Sequence, residues 1–486
     1  MNEYFLLLPI LIPLVGGIVL WFCYNKVSET ARNIITETVM VLNAAVTWML
    51  VLARPEGELY LFSFTDTLPI VLRLDGLGCF FAAMTSTLAV FVTFYAFFYM
   101  KNEDHKHMFY TFFVITFAAT GGVSMAGNLI TLYFFYEMLT MSTIPLVMHG
   151  CKKKDIRAGY IYAAYQLGGA AFAFVGIVVL VSHLGSPDFT LGGVLELASA
   201  GDPVVNVIFL FILLGFGVKS CIFPFYHWLP IASVAPTPVT ALLHSVAVVK
   251  AGVFAVMRTV YYVFGADLVS EFWSGKVGLA LAIFTTVFAA VLAVKERHFK
   301  RRLAYSTVSN LSYILIGVLL CTEAGFAAAL CHMLFHALIK MNAFLAAGSF
   351  MHSTGKAYVY ELDGVGYKMP VTFVCYAVSA LALTGIPLTS GFVSKWQLVT
   401  SSISIGNAWG FASAAALIIS AFLCAVYSIT PAVRAFLPVK GETKANGRDV
   451  VGMCIPMVIF ALANVVFGVS AGGIVDICHA IASGIM

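Results

Sequence analysis

The sequence predicts an all-α integral membrane protein with about fourteen transmembrane helices. Three observations predict it. Apolar residues make up 61% of the chain and charged ones only 10%, where a soluble domain carries about 25% charged residues. Mean hydropathy is +0.96. The apolar residues fall into runs of about 20, long enough for a helix to cross a bilayer and too long for a barrel strand. Such runs leave little of the 486 residues for a soluble domain.

In chain order the spans are expected at 4–24, 32–53, 76–100, 108–126, 128–149, 159–183, 204–223 (broken at Pro224), 238–264, 277–295, 303–321, 326–351, 370–400 (broken near Gly385–Gly391), 408–436 and 450–470. The chain divides as a single membrane domain, 1–486. N-terminal helices occupy 1–100, a first repeat 108–264, a second repeat 277–436, and a C-terminal helix and tail 450–486.

Loop charges orient these spans. With the N-terminus outside, the inward loops hold most of the 27 lysines and arginines. The densest groups are Lys152, Lys153, Lys154 and Arg157; Lys295, Arg297, Lys300, Arg301 and Arg302; and Arg434, Lys440, Lys444 and Arg448. Outward positions hold Arg54, Arg73, Lys276 and, at a helix end, Arg258, while the outward loops 54–75 and 184–203 lean acidic. The positive-inside rule then places both termini on the outer side of the cell inner (cytoplasmic) membrane.

Composition also excludes chemistry. The ten cysteines are scattered, without a C-x-x-C, so neither a disulfide framework nor a metal centre is expected. No dinucleotide fingerprint or P-loop occurs, so the chain is expected to bind no cofactor, to hydrolyse no nucleotide and to have no nucleic-acid partner. The N-terminus carries Glu3 and no basic leader or small-residue cleavage site, so no secretory signal is expected.

The informative residues are the charges left inside spans. A charge near the bilayer centre costs roughly 2.5–3.5 kcal/mol on insertion scales, so a chain that keeps one usually uses it. Lys219 lies just before the break at Pro224, and Lys395 just past the break in TGIPLTSGFVSK. The two interrupted helices are an odd number of spans apart, so the units around them are expected to be inverted. Broken helices in matching positions of two halves point to a transport path. Glu137 is the acid expected well inside a span, and an ion pair with Lys219 would keep the lysine charged until the pair opens. A Glu at the bilayer interface is the alternative.

His244 and Lys250, six residues apart, fall on faces about 120° apart and should meet different neighbours. A hydrogen-bonded core histidine and a snorkelling lysine are the bland reading. His332, His336 and Lys340 recur every fourth residue as one stripe. His-x3-His is also metal spacing, but no third ligand is evident and a proton wire suits the apolar flanks better. Lys300 reads equally as a topology anchor, and Lys395 also as a helix-end lysine reaching water.

At these residues the sequence resembles the antiporter-like subunit family shared by respiratory complex I, membrane-bound hydrogenases and Mrp-type cation/proton antiporters. KSCIFPFYHWLPIASVAPTPVTALLHSVAVVKAG, KRRLAYSTVSNLSYI and HMLFHALIKMNAFLAAGS carry the resemblance, which covers nearly the whole chain. It implies fourteen helices with two inverted five-helix repeats, each containing a broken helix. It implies Glu137 as the carboxylate paired with Lys219, Lys250 and Lys300 as central relay groups, His244, His332, His336 and Lys340 as connectors, and Lys395 as terminal lysine. Departures are Tyr226 and His227 where the family has a histidine after F-P-F, Ile231 for an acid after L-P, no polar residue near Gly169, and His298 for an Asp. A medium-length member is expected, because no long extension follows the last span.

The function expected is a proton-translocating subunit of a redox-driven complex, complex I-like or hydrogenase-like, with no redox chemistry of its own. The alternatives are a subunit of an Mrp-type Na⁺/H⁺ antiporter and a non-conducting structural subunit. The expected partners are other membrane subunits, including homologous antiporter-like ones, lipid, protons and, in the antiporter alternative, Na⁺.

Overall fold

The structure, a computed structural model, describes residues 2–55, 57–65, 68–184, 188–190, 192–194, 201–437 and 447–484. Lys440 and Lys444, and parts of both outward loops, lie outside the described residues.

The chain is helical, and every expected span coincides with a helix. The first six are α1 (Leu8–Cys23), α2 (Glu29–Ala53), α3 (Gly76–Tyr99), α4 (Lys106–Ser124), α5 (Leu129–Val147) and α6 (Lys153–Leu184). The first interrupted unit is α7 (Pro203–Lys219), an irregular stretch, and α8 (Trp228–Ala232). A run then passes through α9 (Thr237–Ala241), a π-helical turn at Leu242–Val246, α10 (Val248–Arg258) and a second π-helical segment at Thr259–Phe264. There follow α11 (Ala266–Glu271), α12 (Trp273–Lys295), α13 (Phe299–Leu319) and α14 (Glu323–Thr354). The second interrupted unit is α15 (Pro370–Thr384) and α16 (Ser390–Ser404), and α17 (Ala408–Phe436), α18 (Val451–Val469) and α19 (Gly472–Ser483) complete the chain.

Local chemistry sets the ends. Asn128 accepts the Thr131 N–H at 2.7 Å to cap α5, and Asn407 accepts that of Gly410 at 2.9 Å to cap α17. Gly355, at φ 69°, terminates α14 in the left-handed conformation. Small residues let helices approach. A Cβ on Gly215 of α7 would lie 2.3 Å from the Ala173 backbone of α6.

Ten helices among the described residues are long and apolar enough to cross a membrane, fewer than the fourteen spans expected. The difference has a physical cause. α7 and α15 are cut short by their breaks, while α4 and α13 are long enough but more polar. The tail expected after residue 470 contains α19, too short to span, and the loop between α2 and α3 forms an antiparallel hairpin, β1 (Leu59–Ser63) and β2 (Pro69–Leu72).

Two segments form the centre. The most apolar window of Thr237–Phe264 is 100% buried and that of α14 is 89% buried, against 28% for α2. The intramembrane charges cluster on and around these two segments.

Arg258, expected at an outward helix end, is instead inside this centre and only 1% exposed. Its guanidinium grips both oxygens of Asp75, the N-cap of α3, one of them at 2.7 Å. Burial opposes ionisation of Asp75, but Arg258 and the Gly78 amide hold its carboxyl below the ordinary carboxylate range. A folded pKa below the unfolded one adds stability above the unfolded value, near pH 4, and that stability is lost as pH falls through the folded value. Asp75→Ala should cost about 3 kcal/mol by leaving a buried cation, whereas the double variant Asp75→Leu with Arg258→Met should recover most of it. Thermal unfolding of the purified protein measures both.

Candidate functional site

The first break is built from satisfied backbone. Non-helical chain at membrane depth needs protein partners for its peptide groups. The Trp228 indole donates to the Val218 carbonyl at 2.9 Å, and the Phe223 N–H donates to Thr285 Oγ1 at 3.0 Å. α7 ends here at Lys219, which is fully buried. Its Nζ donates to the Tyr136 carbonyl of α5 at 2.6 Å and lies 3.2 Å from the Tyr136 ring centroid. α10 fixes this lysine from the other side, because a Cβ on Gly252 would lie 2.7 Å from both Lys219 Cβ and the Ser220 nitrogen.

The ion pair expected between Glu137 and Lys219 is not formed in this structure. Among the described residues no ion pair within 4.0 Å joins them. Neighbouring residues of a helix point about 100° apart, and the ammonium has taken the carbonyl and ring face of Tyr136. Glu137 Oε1 is buried without a hydrogen-bond partner. The two charges still act on each other through space.

The second break inverts the arrangement. Gly385, at φ 92°, ends α15, and Lys395 of α16 reaches back to the carbonyls of Leu383 and Thr384, the latter at 3.4 Å. A cation thus caps the negative end of α15. Close crossing permits it, since a Cβ on Gly391 would lie 1.8 Å from the Ala382 oxygen.

A row of ionisable side chains runs from α10 along α14 to α16. Lys250 Nζ hydrogen-bonds His336 Nδ1 at 2.7 Å. The His336 and His332 rings stack with centroids 5.8 Å apart. His332 Nδ1 hydrogen-bonds Ser394 Oγ at 2.9 Å, and Ser394 adjoins Lys395. The Nε2 atoms of both histidines are buried without partners.

The other predicted residues form a second group. Lys340 leaves the histidine stripe and donates to the Leu303 carbonyl at 3.1 Å and to Ser306 Oγ. The reason is angular: residues i, i+4 and i+8 drift by about 40° per step. His244, in the π-helical turn, pairs through Nε2 with Ser233 Oγ at 3.2 Å, and its ring lies 4.5 Å from that of Phe344. Lys300 is 3% exposed and donates to the Ala235 carbonyl at 2.7 Å. Both Lys300 and Lys340 act electrostatically on His244. His298 caps α13, and burial and Lys300 push its pKa down to about 4, so the ring is neutral at pH 7.

Sequence reading missed Ser233, Ser306, Ser394 and the Tyr136 carbonyl. It also missed Glu37 of α2, an acid inside a span whose Oε2 is buried without a partner.

The profile of the NADH:quinone oxidoreductase/Mrp antiporter transmembrane family matches residues 126–422, which hold Glu137, the buried lysines and the three histidines His244, His332 and His336. The chain belongs to this family. It is 26% identical to a Na(+)/H(+) antiporter subunit of Bacillus subtilis over 471 residues, 96% of this chain and 94% of that one. It is 30% identical to an NADH-quinone oxidoreductase subunit of Desulforudis audaxviator over 388 residues, 76% of this chain and 75% of that one. Its match to a probable K(+)/H(+) antiporter subunit of Rhizobium meliloti, 34% identical over 69% of this chain, spans only 33% of that longer protein. The fold is similar to a chain in the Mrp complex of Dietzia sp., with a TM-score of 0.88 at 21% identity, covering 99% of this chain and 97% of that one. The family membership establishes a multi-pass membrane protein.

Gly252→Ala should press α10 into the first break and cost about 1–3 kcal/mol, because the atoms it meets include backbone. Thermal unfolding of the purified protein reports the cost.

Proposed function

We propose that the chain moves protons across the membrane as a subunit of a larger membrane complex. The row from Lys250 through His336, His332 and Ser394 to Lys395, hydrogen-bonded at each end and joined in the middle by stacked rings, carries this reading. It supports a path that runs along the membrane's mid-plane and links two units, which we assign to residues 108–264 and 277–436. Glu137 and Lys219 act as the gate at one end. In the arrangement seen, Lys219 rests on Tyr136 and Glu137 has a free oxygen, which corresponds to the open pair. Closing it requires the ammonium to leave a carbonyl for the neighbouring side chain. Lys300, His244 and Lys340 form the branch toward the inward loops, since Lys300 senses Glu103 and Lys154 there. Among the described residues no ammonium of the row is tied to a carboxylate, so no fixed ion pair must break before a proton leaves.

The driving reaction belongs to partner subunits. A redox-driven complex is our first reading, in keeping with the likeness to a quinone oxidoreductase subunit. An Mrp-type Na⁺/H⁺ antiporter is the second, favoured by the near full-length match to the Bacillus subtilis antiporter protein. Purifying the intact complex and identifying its other subunits separates them. We place the chain in the cytoplasmic membrane with both termini outside.

His336→Leu, in complexes that still assemble, should slow proton movement by roughly two orders of magnitude, and Lys219→Ala should stop it. Acidification of vesicles, measured with a pH-sensitive dye, checks both, and normal movement in assembled variants would sink the relay. Cys151, an exposed thiol in an inward loop, should react with an impermeant maleimide only from the cytoplasmic side. Labelling from outside would reverse the orientation.

A further inference from the structure

A cavity of about 690 Å³ opens at the end of the bundle where α2 finishes and α3 begins. Its walls are Trp48, Phe80, Leu334, Leu338, Phe467 and Ile477, drawn from α2, α3, α14, α18 and α19. The polar groups near it are accounted for. The Trp48 indole donates to Thr87 Oγ1 at 2.9 Å, and the Asp75 carboxylate is taken by Arg258. Arg54, at the C-cap of α2, is the exception: it is exposed, and among the described residues its guanidinium has no ion-pair or hydrogen-bond partner. The cavity is therefore a mainly apolar chamber with one unpaired cation at its mouth, where α2 ends and α3 begins.

We propose that this cavity binds a phospholipid, with an acyl chain between α2 and α14 and the phosphodiester on Arg54. Away from Arg54 the walls offer little to ordered water, which needs two to four polar partners, because Asp75 and Thr87 are already engaged by Arg258 and Trp48. An empty chamber would forfeit the dispersion contacts of its lining. The rim is open and apolar, with Leu52 78% and Ile477 53% exposed, so it admits a chain from the side. α19 packs on α14 with Ile477 on the cavity and Asp476 and His479 exposed, as an interfacial helix does. A partner's spanning helix does not fit. About 10 Å across, such a helix could insert only side chains here and would keep its backbone outside the chamber. The volume instead matches pockets that enclose a single small ligand.

The site has a consequence for the row. Leu334 and Leu338 lie about 200° and 240° round α14 from His332. The acyl chain thus backs the helix whose opposite face holds His332 and His336.

The test uses the assembled complex in nanodiscs of phosphatidylglycerol or of phosphatidylcholine, each doped with the same lipid bearing a photoreactive acyl chain. Wild type should crosslink in the α14 segment holding Leu334 and Leu338, both inside the protein. Arg54→Gln should reduce that crosslink about fivefold while leaving crosslinks to the lipid-facing side of α18 unchanged. Leu338→Trp should fill the chamber and abolish it. If Leu338→Trp fails to assemble, Arg54→Gln, a surface change, decides alone. A larger yield with phosphatidylglycerol identifies an anionic headgroup, and equal yields a phosphodiester of either lipid. Absence of the α14 crosslink in wild type, equal yields in wild type and Arg54→Gln, or a crosslink to another protein of the complex from a photoreactive residue at Trp48 would overturn the proposal.

Discussion

An ammonium group buried in a membrane must find acceptors, and which acceptors it finds decides what the protein can do. A carboxylate would hold the charge in place by Coulomb attraction, which is strong where water is absent. Here the buried lysines are held by neutral groups: Lys219 by the Tyr136 carbonyl, Lys250 by a His336 nitrogen, Lys340 by Leu303 and Ser306, Lys300 by the Ala235 carbonyl, and Lys395 by the end of α15. The fully engaged buried ion pair among the described residues, Asp75 with Arg258, stands apart from the row and has a structural part.

One helix interruption answers this need directly. A regular helix consumes its own carbonyls, so free acceptors occur where helices end. Lys395 follows its break and caps the half-helix before it, whereas Lys219 precedes its break and shares the Tyr136 carbonyl inside α5. The π-helical turn at Leu242–Val246 serves a related end. It presents His244 to Ser233 and leads into α10, which presents Lys250 to His336.

Much of this was legible in the sequence, and the unread part has a common cause. Helices, breaks and buried charges are read from hydropathy, proline and glycine, which act locally. The histidine stripe was legible because its spacing is that of a helix face. The drift of Lys340 off that face follows from the same spacing, but its partners Leu303 and Ser306 do not, because they depend on where α13 packs. Ser394 and Ser306 gave no signal beyond lying beside Lys395 and on α13, since membrane helices use serine widely to bond their own carbonyls. Asp75 and Arg258 are 183 residues apart, and no local pattern joins them. α19 escaped because 12 residues are too few for a span. Glu37 escaped because it sits close to the charged start of α2.

The two stacked histidines are the part of the row on which our proposed relay depends most. Among the described residues His332 and His336 each fix Nδ1, on Ser394 Oγ and on Lys250 Nζ, and neither has a protein partner for Nε2. A buried nitrogen without a protein partner does not by itself mark a relay, because His244 shows one and His149 two. What sets His332 and His336 apart is placement. They stack one turn apart on a largely buried helix, with their fixed nitrogens engaged by a lysine at one end and a serine beside a lysine at the other. An imidazole held at one nitrogen by such a neighbour can exchange a proton at the other near neutral pH, which is the chemistry the proposal asks of it.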